Sequence, residues 1–116
     1  MTRNLITGGA LGWAVFIFLL SSQSGSSLED TENLFDSIPA ADFVAHVILY
    51  FVLAALVHAS LRIYLPKRKN LLALDTVIFA LLYGVSDEFH QSFVPGRTVS
   101  ATDLAGDVLG AALAVT

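Results

Sequence analysis

The feature that most constrains the fold is a long apolar segment in the middle of the chain, residues 40–65. A transmembrane helix needs roughly 20 predominantly apolar residues to cross the hydrocarbon core of a bilayer. The segment follows Pro39, which suits the first turn of a helix, and it ends at Pro66 and the basic triplet Lys67-Arg68-Lys69. This stretch therefore predicts one membrane-spanning helix with a positively charged break behind it.

Three further apolar segments accompany it in a chain of 116 residues, which has room for one domain. The chain is 55% hydrophobic and only 14% charged, against roughly 25% charged in soluble proteins, and its mean hydropathy is +0.72. We predict an all-α integral membrane protein, a single domain over residues 1–116 that forms a four-transmembrane-helix bundle. The predicted spans are residues 5–22, 40–65, 71–91 and 101–116. A cleaved signal peptide is the alternative for the first span, because its basic start, apolar core and small residues fit that pattern too.

Two capping-box patterns mark further helix starts. Ser27-Leu28-Glu29-Asp30 lies in the acidic segment after the first span and predicts a short helix in the membrane interface, although a solvated loop fits the same residues. Ser100-Ala101-Thr102-Asp103 predicts the start of the fourth helix.

Basic residues predict the orientation of the bundle. Arg3 and the cluster of Arg62 and residues 67–69 belong on the cytoplasmic side by the positive-inside rule, which places both termini in the cytoplasm. The start of the second span, the end of the third and the start of the fourth then share the outer face. The polar residues that this brings to one membrane level are Asp42, His46, Glu88, His90, Gln91, Arg97, Asp103 and Asp107.

Ionisable residues in membrane segments are costly and usually pair with one another inside a bundle or line a watery cavity. The structural interpretation is that they hold helices together: Asp103 caps the fourth helix, Gln91 bridges two helices, and Arg97 neutralises Glu88 or Asp103. The functional interpretation makes Arg97 an anchor for a phosphate or carboxylate, because a guanidinium offers a fork of donors and Gly96 lets backbone approach a ligand.

His46 is the candidate for proton transfer, with Asp42 one helical turn away to orient it and Glu88 as the second catalytic candidate. A metal site built from His46, Glu88, His90 and Asp107 is a further alternative. Against it, Glu88 and His90 lie two residues apart on a helix and point to nearly opposite sides. We therefore predict no metal or other cofactor. The predicted ligand-binding residues are Asp42, His46, Glu88, Gln91, Arg97, Asp103 and Asp107.

Charge and composition limit the partners. A net charge of −4 with one basic cluster argues against nucleic-acid binding, and the absence of cysteine excludes disulfides and thiolate chemistry. The small-residue pairs Gly8/Gly12 and Gly106/Gly110 predict close helix contacts, within the bundle or between copies in a homo-oligomer.

The polar residues together resemble those of the VanZ-like membrane proteins. The resemblance rests on Ser22-Gln23, on Asp42 with His46 and Tyr50, and on a Glu-x-x-Gln-x-Phe-x-Pro-x-Arg core from Glu88 to Arg97 followed by Asp103 and Asp107. Two positions depart from the family pattern, Phe43 where Lys is frequent and Asp107 where Asn is frequent. The resemblance implies a small multi-pass protein of the bacterial cell membrane whose namesake is linked to low-level teicoplanin resistance.

The sequence thus predicts an envelope protein whose outer-face polar cluster binds or modifies an envelope ligand, and the resemblance implies a glycopeptide antibiotic as an alternative ligand. The phosphates of lipid-linked cell-wall precursors, or a peptide carboxylate, are within reach at this depth in the bilayer. Two alternatives stay open: a membrane-embedded enzyme acting on a lipid-linked cell-wall substrate, and a structural partner protein with no ligand.

Overall fold

The computed structural model describes residues 1–24 and 40–116, and in these two ranges the chain is helical with no β-strand. The helices are α1 (Thr2–Ser21), α2 (Ala41–Tyr64), α3 (Leu72–Gln91) and α4 (Ala101–Ala114), with a 3₁₀ turn at Pro66–Arg68. The all-α prediction is confirmed, and the helix bounds lie close to those of the four predicted spans. The predicted interfacial helix and its capping box at Ser27 lie outside the described residues.

Two of the helices are long and apolar enough to cross a membrane. α1 and α2 have mean hydropathies of 1.7 and 2.1, and only 17% of each apolar window is buried, so neither is the enclosed core helix of a soluble protein. α3 carries Asp75, Asp87 and Glu88, and α4 has only 14 residues. Many large apolar side chains of all four helices face outward, among them Leu11, Phe18, Ile48, Leu82 and Leu113.

Local sequence explains where the helices end. Leu65 precedes Pro66 and leaves the helical region at φ −124°, because the proline ring disfavours helical backbone at the residue before it. Gly96 turns the chain between α3 and α4 at φ 74°, a left-handed conformation that glycine adopts without steric cost. Ser100 then caps α4 as predicted, its hydroxyl accepting the Asp103 N–H at 3.4 Å.

Side-chain hydrogen bonds join the helices around a small core. The Trp13 indole N–H donates to the Leu49 carbonyl at 2.9 Å and ties α1 to α2, and the Tyr83 hydroxyl donates to the Ala14 carbonyl and ties α3 to α1. The buried core residues are Ile17, Tyr50, Leu53, Ala54, Ala80 and Ala111.

α4 packs against α2 through glycine. A Cβ at Gly106 would lie 3.1 Å from the Phe43 carbonyl oxygen, and a Cβ at Gly110 would overlap the Val47 carbonyl oxygen and lie 2.9 Å from the Phe51 nitrogen. The Gly106/Gly110 surface is therefore buried between two helices of the same chain.

The second small-residue pair lies on an open surface. Gly8 and Gly12 of α1 are exposed, with nothing described within 4 Å of a Cβ at either position. A homo-oligomer through this surface stays a prediction.

Candidate functional site

A cavity of about 260 Å³ opens at the end of the bundle where α2 and α4 begin and α1 and α3 end. It lies between all four helices and the loop that connects α3 to α4. Five of the seven predicted ligand-binding residues line it, and Glu88 and Asp107 do not. The lining residues are Leu20, Asp42, Ala45, His46, Leu49, Gln91, Gly96, Arg97, Thr98 and Asp103.

His46 is held between two carboxylates of α4. Its Nδ1 lies 2.7 Å from Asp107 Oδ1, and its Nε2 lies 3.7 Å from Asp103 Oδ2. A carboxylate oxygen can only accept, so Nδ1–H is the donor in the short contact. Nε2 is then the ring nitrogen that is left to exchange a proton or to contact a ligand.

The prediction that Asp42 orients His46 is wrong. Asp42 is exposed at the rim of the cavity and forms no hydrogen bond or ion pair with any residue in the described part of the chain. The physical reason is the close approach of α4: a Cβ at Gly106 would lie 3.1 Å from His46 Cβ, so the next residue, Asp107, comes within hydrogen-bonding distance of the ring.

Asp107 belongs to a polar interior behind His46. Its carboxylate and the Tyr50 side chain are fully buried, and neither Asp107 Oδ2 nor the Tyr50 hydroxyl has a hydrogen-bond partner among the described residues. Gly84 of α3 makes room for this carboxylate, because a Cβ there would lie 2.7 Å from Asp107 Oδ2. Gly84 is not among the predicted site residues; its only signal in the sequence is a glycine inside an apolar helix, which often marks close packing.

Glu88 connects α3 to the start of α4. Its Oε2 accepts the Ser100 N–H at 3.0 Å, the bond that the capping-box pattern assigns to the side chain of Asp103. The interpretation of Asp103 as a side-chain cap is therefore wrong, and its carboxylate is free to face His46. Glu88 is 6% exposed and lies behind the cavity wall, so it positions α4 and does not reach into the cavity.

Arg97 reaches the cavity from the loop after Gly96. Its side chain is half-buried, yet the guanidinium forms no hydrogen bond or ion pair within residues 1–24 and 40–116. The interpretation that Arg97 neutralises Glu88 or Asp103 is thus wrong. As far as the described residues are concerned, the five N–H donors of this guanidinium are available at the cavity wall.

Gln91 and His90 connect α3 to the end of α1. The Gln91 amide donates to Ser21 Oγ at 3.3 Å, which agrees with the helix-bridging role that the sequence offered. The His90 ring stacks on Phe18, with 4.4 Å between ring centroids, and its Nε2 lies 3.5 Å from Ser22 Oγ. No three His, Asp or Glu side chains of the described residues are placed to hold a metal ion, including the set of the metal alternative.

The arrangement supports two kinds of chemistry. A histidine fixed on one nitrogen by a buried carboxylate can accept or release a proton at the other nitrogen. An unpaired guanidinium binds phosphate or carboxylate through two parallel hydrogen bonds. Both groups line one cavity, with Asp42 and Asp103 as additional hydrogen-bond acceptors.

Comparison with known proteins identifies the family. No curated protein sequence and no solved structure matches the chain significantly. The family model described as VanZ/LLP1 matches residues 8–116, nearly the whole chain, so the residues of the cavity all lie inside the matched region. Together with the two apolar helices, this match indicates a membrane protein of the cell envelope. The chain belongs to the VanZ/LLP1 family.

Proposed function

We propose that all four helices cross the membrane, with both termini in the cytoplasm and the cavity on the outer face. The cavity collects the ends of α1 and α3 and the starts of α2 and α4, so successive helices run in opposite directions. At the other end, Arg3 lies over the Tyr64 ring, and Arg62 and Lys69 line one cavity. His46 and Arg62 are 16 residues apart on α2, about 24 Å along a helix, which is close to the thickness of a hydrocarbon core.

In this topology the cavity binds an anionic group of an envelope ligand. The single observation that carries this proposal is the Arg97 guanidinium at the cavity wall, beside His46, for which the described residues provide no partner. Leaving a half-buried cation without a partner costs free energy that a bound phosphate or carboxylate would recover. A lipid-linked cell-wall precursor supplies the phosphate, and a glycopeptide antibiotic such as teicoplanin supplies the carboxylate.

The acidic residues of the wall refine this chemistry. Asp42 and Asp103 repel a ligand that is negative throughout, and they accept hydrogen bonds from hydroxyl or amino groups. A ligand with an anionic group next to a sugar is not negative throughout and has hydroxyl groups to donate, so it satisfies both requirements. The volume of about 260 Å³ is just below the 300 to 1,000 Å³ of drug-sized sites, so the cavity fits a charged group with one sugar ring and not a whole glycopeptide.

A susceptibility test addresses the binding proposal. Cells carrying the intact gene, Arg97→Gln, Lys67→Gln or no gene are challenged with teicoplanin, with membrane abundance matched by blot. Lys67 is an exposed cation outside the cavity and serves as the charge-matched control. We expect Arg97→Gln to resemble the strain without the gene and Lys67→Gln to resemble the intact strain. Equal tolerance of all four strains would refute a role in teicoplanin tolerance.

The contact between His46 Nδ1 and the buried Asp107 favours a second function, a membrane enzyme that uses His46 as acid and base on a lipid-linked substrate. Purified protein incubated with such a lipid should then release product, detected by mass spectrometry, and His46→Gln should abolish turnover with little effect on binding. Binding without any turnover by the intact protein would reject the enzyme.

A further inference from the structure

A second cavity lies at the other end of the bundle, where α2 ends and α3 begins. It measures about 350 Å³ and is lined by His58, Arg62, Pro66, Lys69 and Leu72. We call it the basic cavity. It shares no residue with the cavity at His46, so its ligand does not depend on the one proposed there, although the inference rests on the membrane topology proposed above.

The basic cavity holds positive charge that its surroundings do not neutralise. Neither Arg62 nor Lys69 forms an ion pair or side-chain hydrogen bond with the residues that the structure describes. Asp75, the acidic residue in the first turn of α3, forms an ion pair with Arg68, with 3.3 Å between Asp75 Oδ1 and Arg68 Nη2. No described acidic residue lines the cavity. Two cations therefore face one concave space in which no described residue supplies a counter-charge.

His58 adds a hydrogen-bonding group whose proton position follows from its neighbours. The buried Thr76 hydroxyl donates its single hydrogen to the Leu72 carbonyl at 2.7 Å, so its oxygen must accept from His58 Nδ1, 3.1 Å away. The neutral ring then has its lone pair on Nε2. That nitrogen can accept the hydrogen of a protonated phosphate oxygen or of a headgroup hydroxyl.

We propose that the basic cavity binds a phosphate group, carried by an anionic phospholipid headgroup or free in solution. Arg62 supplies a planar fork that matches two phosphate oxygens, and Lys69 supplies a compact cation on a flexible stem. The cavity lies at the end of the membrane helices, which is the depth of phospholipid headgroups, and basic pockets between helix ends bind such headgroups.

The test uses the purified full chain in detergent and two probes. Short-chain phosphatidylglycerol, with phosphatidylcholine as the zwitterionic comparison, is scored by native mass spectrometry, and inorganic phosphate by equilibrium dialysis. Arg62→Gln/Lys69→Gln removes both cavity cations, which are exposed enough to be replaced without opening the core. Arg3→Gln/Lys67→Gln removes the same charge at the same end of the bundle but outside the cavity. Circular dichroism checks that both variants fold.

We expect the cavity variant to bind phosphatidylglycerol at least about tenfold more weakly than the intact protein, because two charge-assisted contacts are lost, and the control variant to change less than threefold. Binding of inorganic phosphate alone, with the same dependence on Arg62 and Lys69, would support the site and identify free phosphate as its ligand. Three results would overturn the proposal. The first is binding of neither probe, and the second is equal binding of the two lipids without any phosphate binding. The third is equal weakening of binding in both variants.

Discussion

Replacement of Gly110 by alanine tests the contact that brings α4 to α2. The added Cβ would overlap the Val47 carbonyl oxygen and lie 2.9 Å from the Phe51 nitrogen, and both are backbone atoms that no rotamer change can move. The two helices must separate locally or shift along one another. Because Asp107 is less than one turn from Gly110, the same shift would also lengthen its 2.7 Å contact with His46.

The magnitude follows from two opposing effects. Overpacking a close contact costs typically 1 to 3 kcal/mol, and an overlap with rigid backbone belongs at the upper end, about 3 kcal/mol. Replacing glycine by alanine inside a helix recovers about 1 kcal/mol of helix propensity. We therefore expect Gly110→Ala to lower the free energy of unfolding by about 2 kcal/mol.

Gly12→Ala is the matched control, since it makes the same substitution inside α1 with nothing described within 4 Å of the new methyl group. It should raise the free energy of unfolding by about 1 kcal/mol, so the two variants should differ by about 3 kcal/mol. The assay is unfolding of the purified protein in mixed micelles with increasing dodecyl sulfate, followed by circular dichroism. Equal stability of the two variants would show that α4 does not contact the α2 backbone at Gly110.

Three further predictions concern single hydrogen bonds. Ser100→Ala removes the cap of α4 and should cost about 1 kcal/mol in the same unfolding assay; an unchanged stability would contradict the cap. Trp13→Phe removes the N–H that donates to the Leu49 carbonyl at 2.9 Å and should also lower the free energy of unfolding by about 1 kcal/mol. A decrease smaller than the error of the assay would count against this hydrogen bond. Asp107→Asn replaces an acceptor by an amide that can donate or accept, so the ¹⁵N NMR signals of His46 should change from the Nδ1–H tautomer to a mixture; an unchanged spectrum would mean that Asp107 does not set the tautomer.

The helices were predictable because their causes are local. Each cause acts within a few residues of the position it determines. These causes are apolar segments of sufficient length, Pro66 after the second segment, and the serine that caps the fourth helix. The gathering of polar side chains at one end of the bundle also followed, since helices that alternate in direction bring the start of α2 and α4 to the end of α3.

The partner of each polar side chain was not predictable, because it depends on how the helices are rotated and how closely they approach. Spacing along α2 offers His46 only Asp42 as an acidic neighbour, whereas the observed partner comes from α4, 61 residues later. Glu88 takes the Ser100 N–H that the capping pattern assigns to Asp103, a contact across 12 residues that no local pattern contains. These contacts arise from helix packing through glycine, and the sequence indicates only that such packing can occur.

The most direct test of the proposed function is the affinity of the cavity for an anionic isoprenoid. Farnesyl diphosphate is titrated into the purified full chain in the Arg62→Gln/Lys69→Gln background, so that the basic cavity does not contribute. Arg97→Gln is compared in that background with Lys67→Gln, which removes an equal charge outside both cavities. We expect saturable binding that weakens at least about tenfold with Arg97→Gln and stays unchanged with Lys67→Gln. Equal affinity of the Arg97→Gln protein and its parent would contradict Arg97 as the anchor of an anionic ligand.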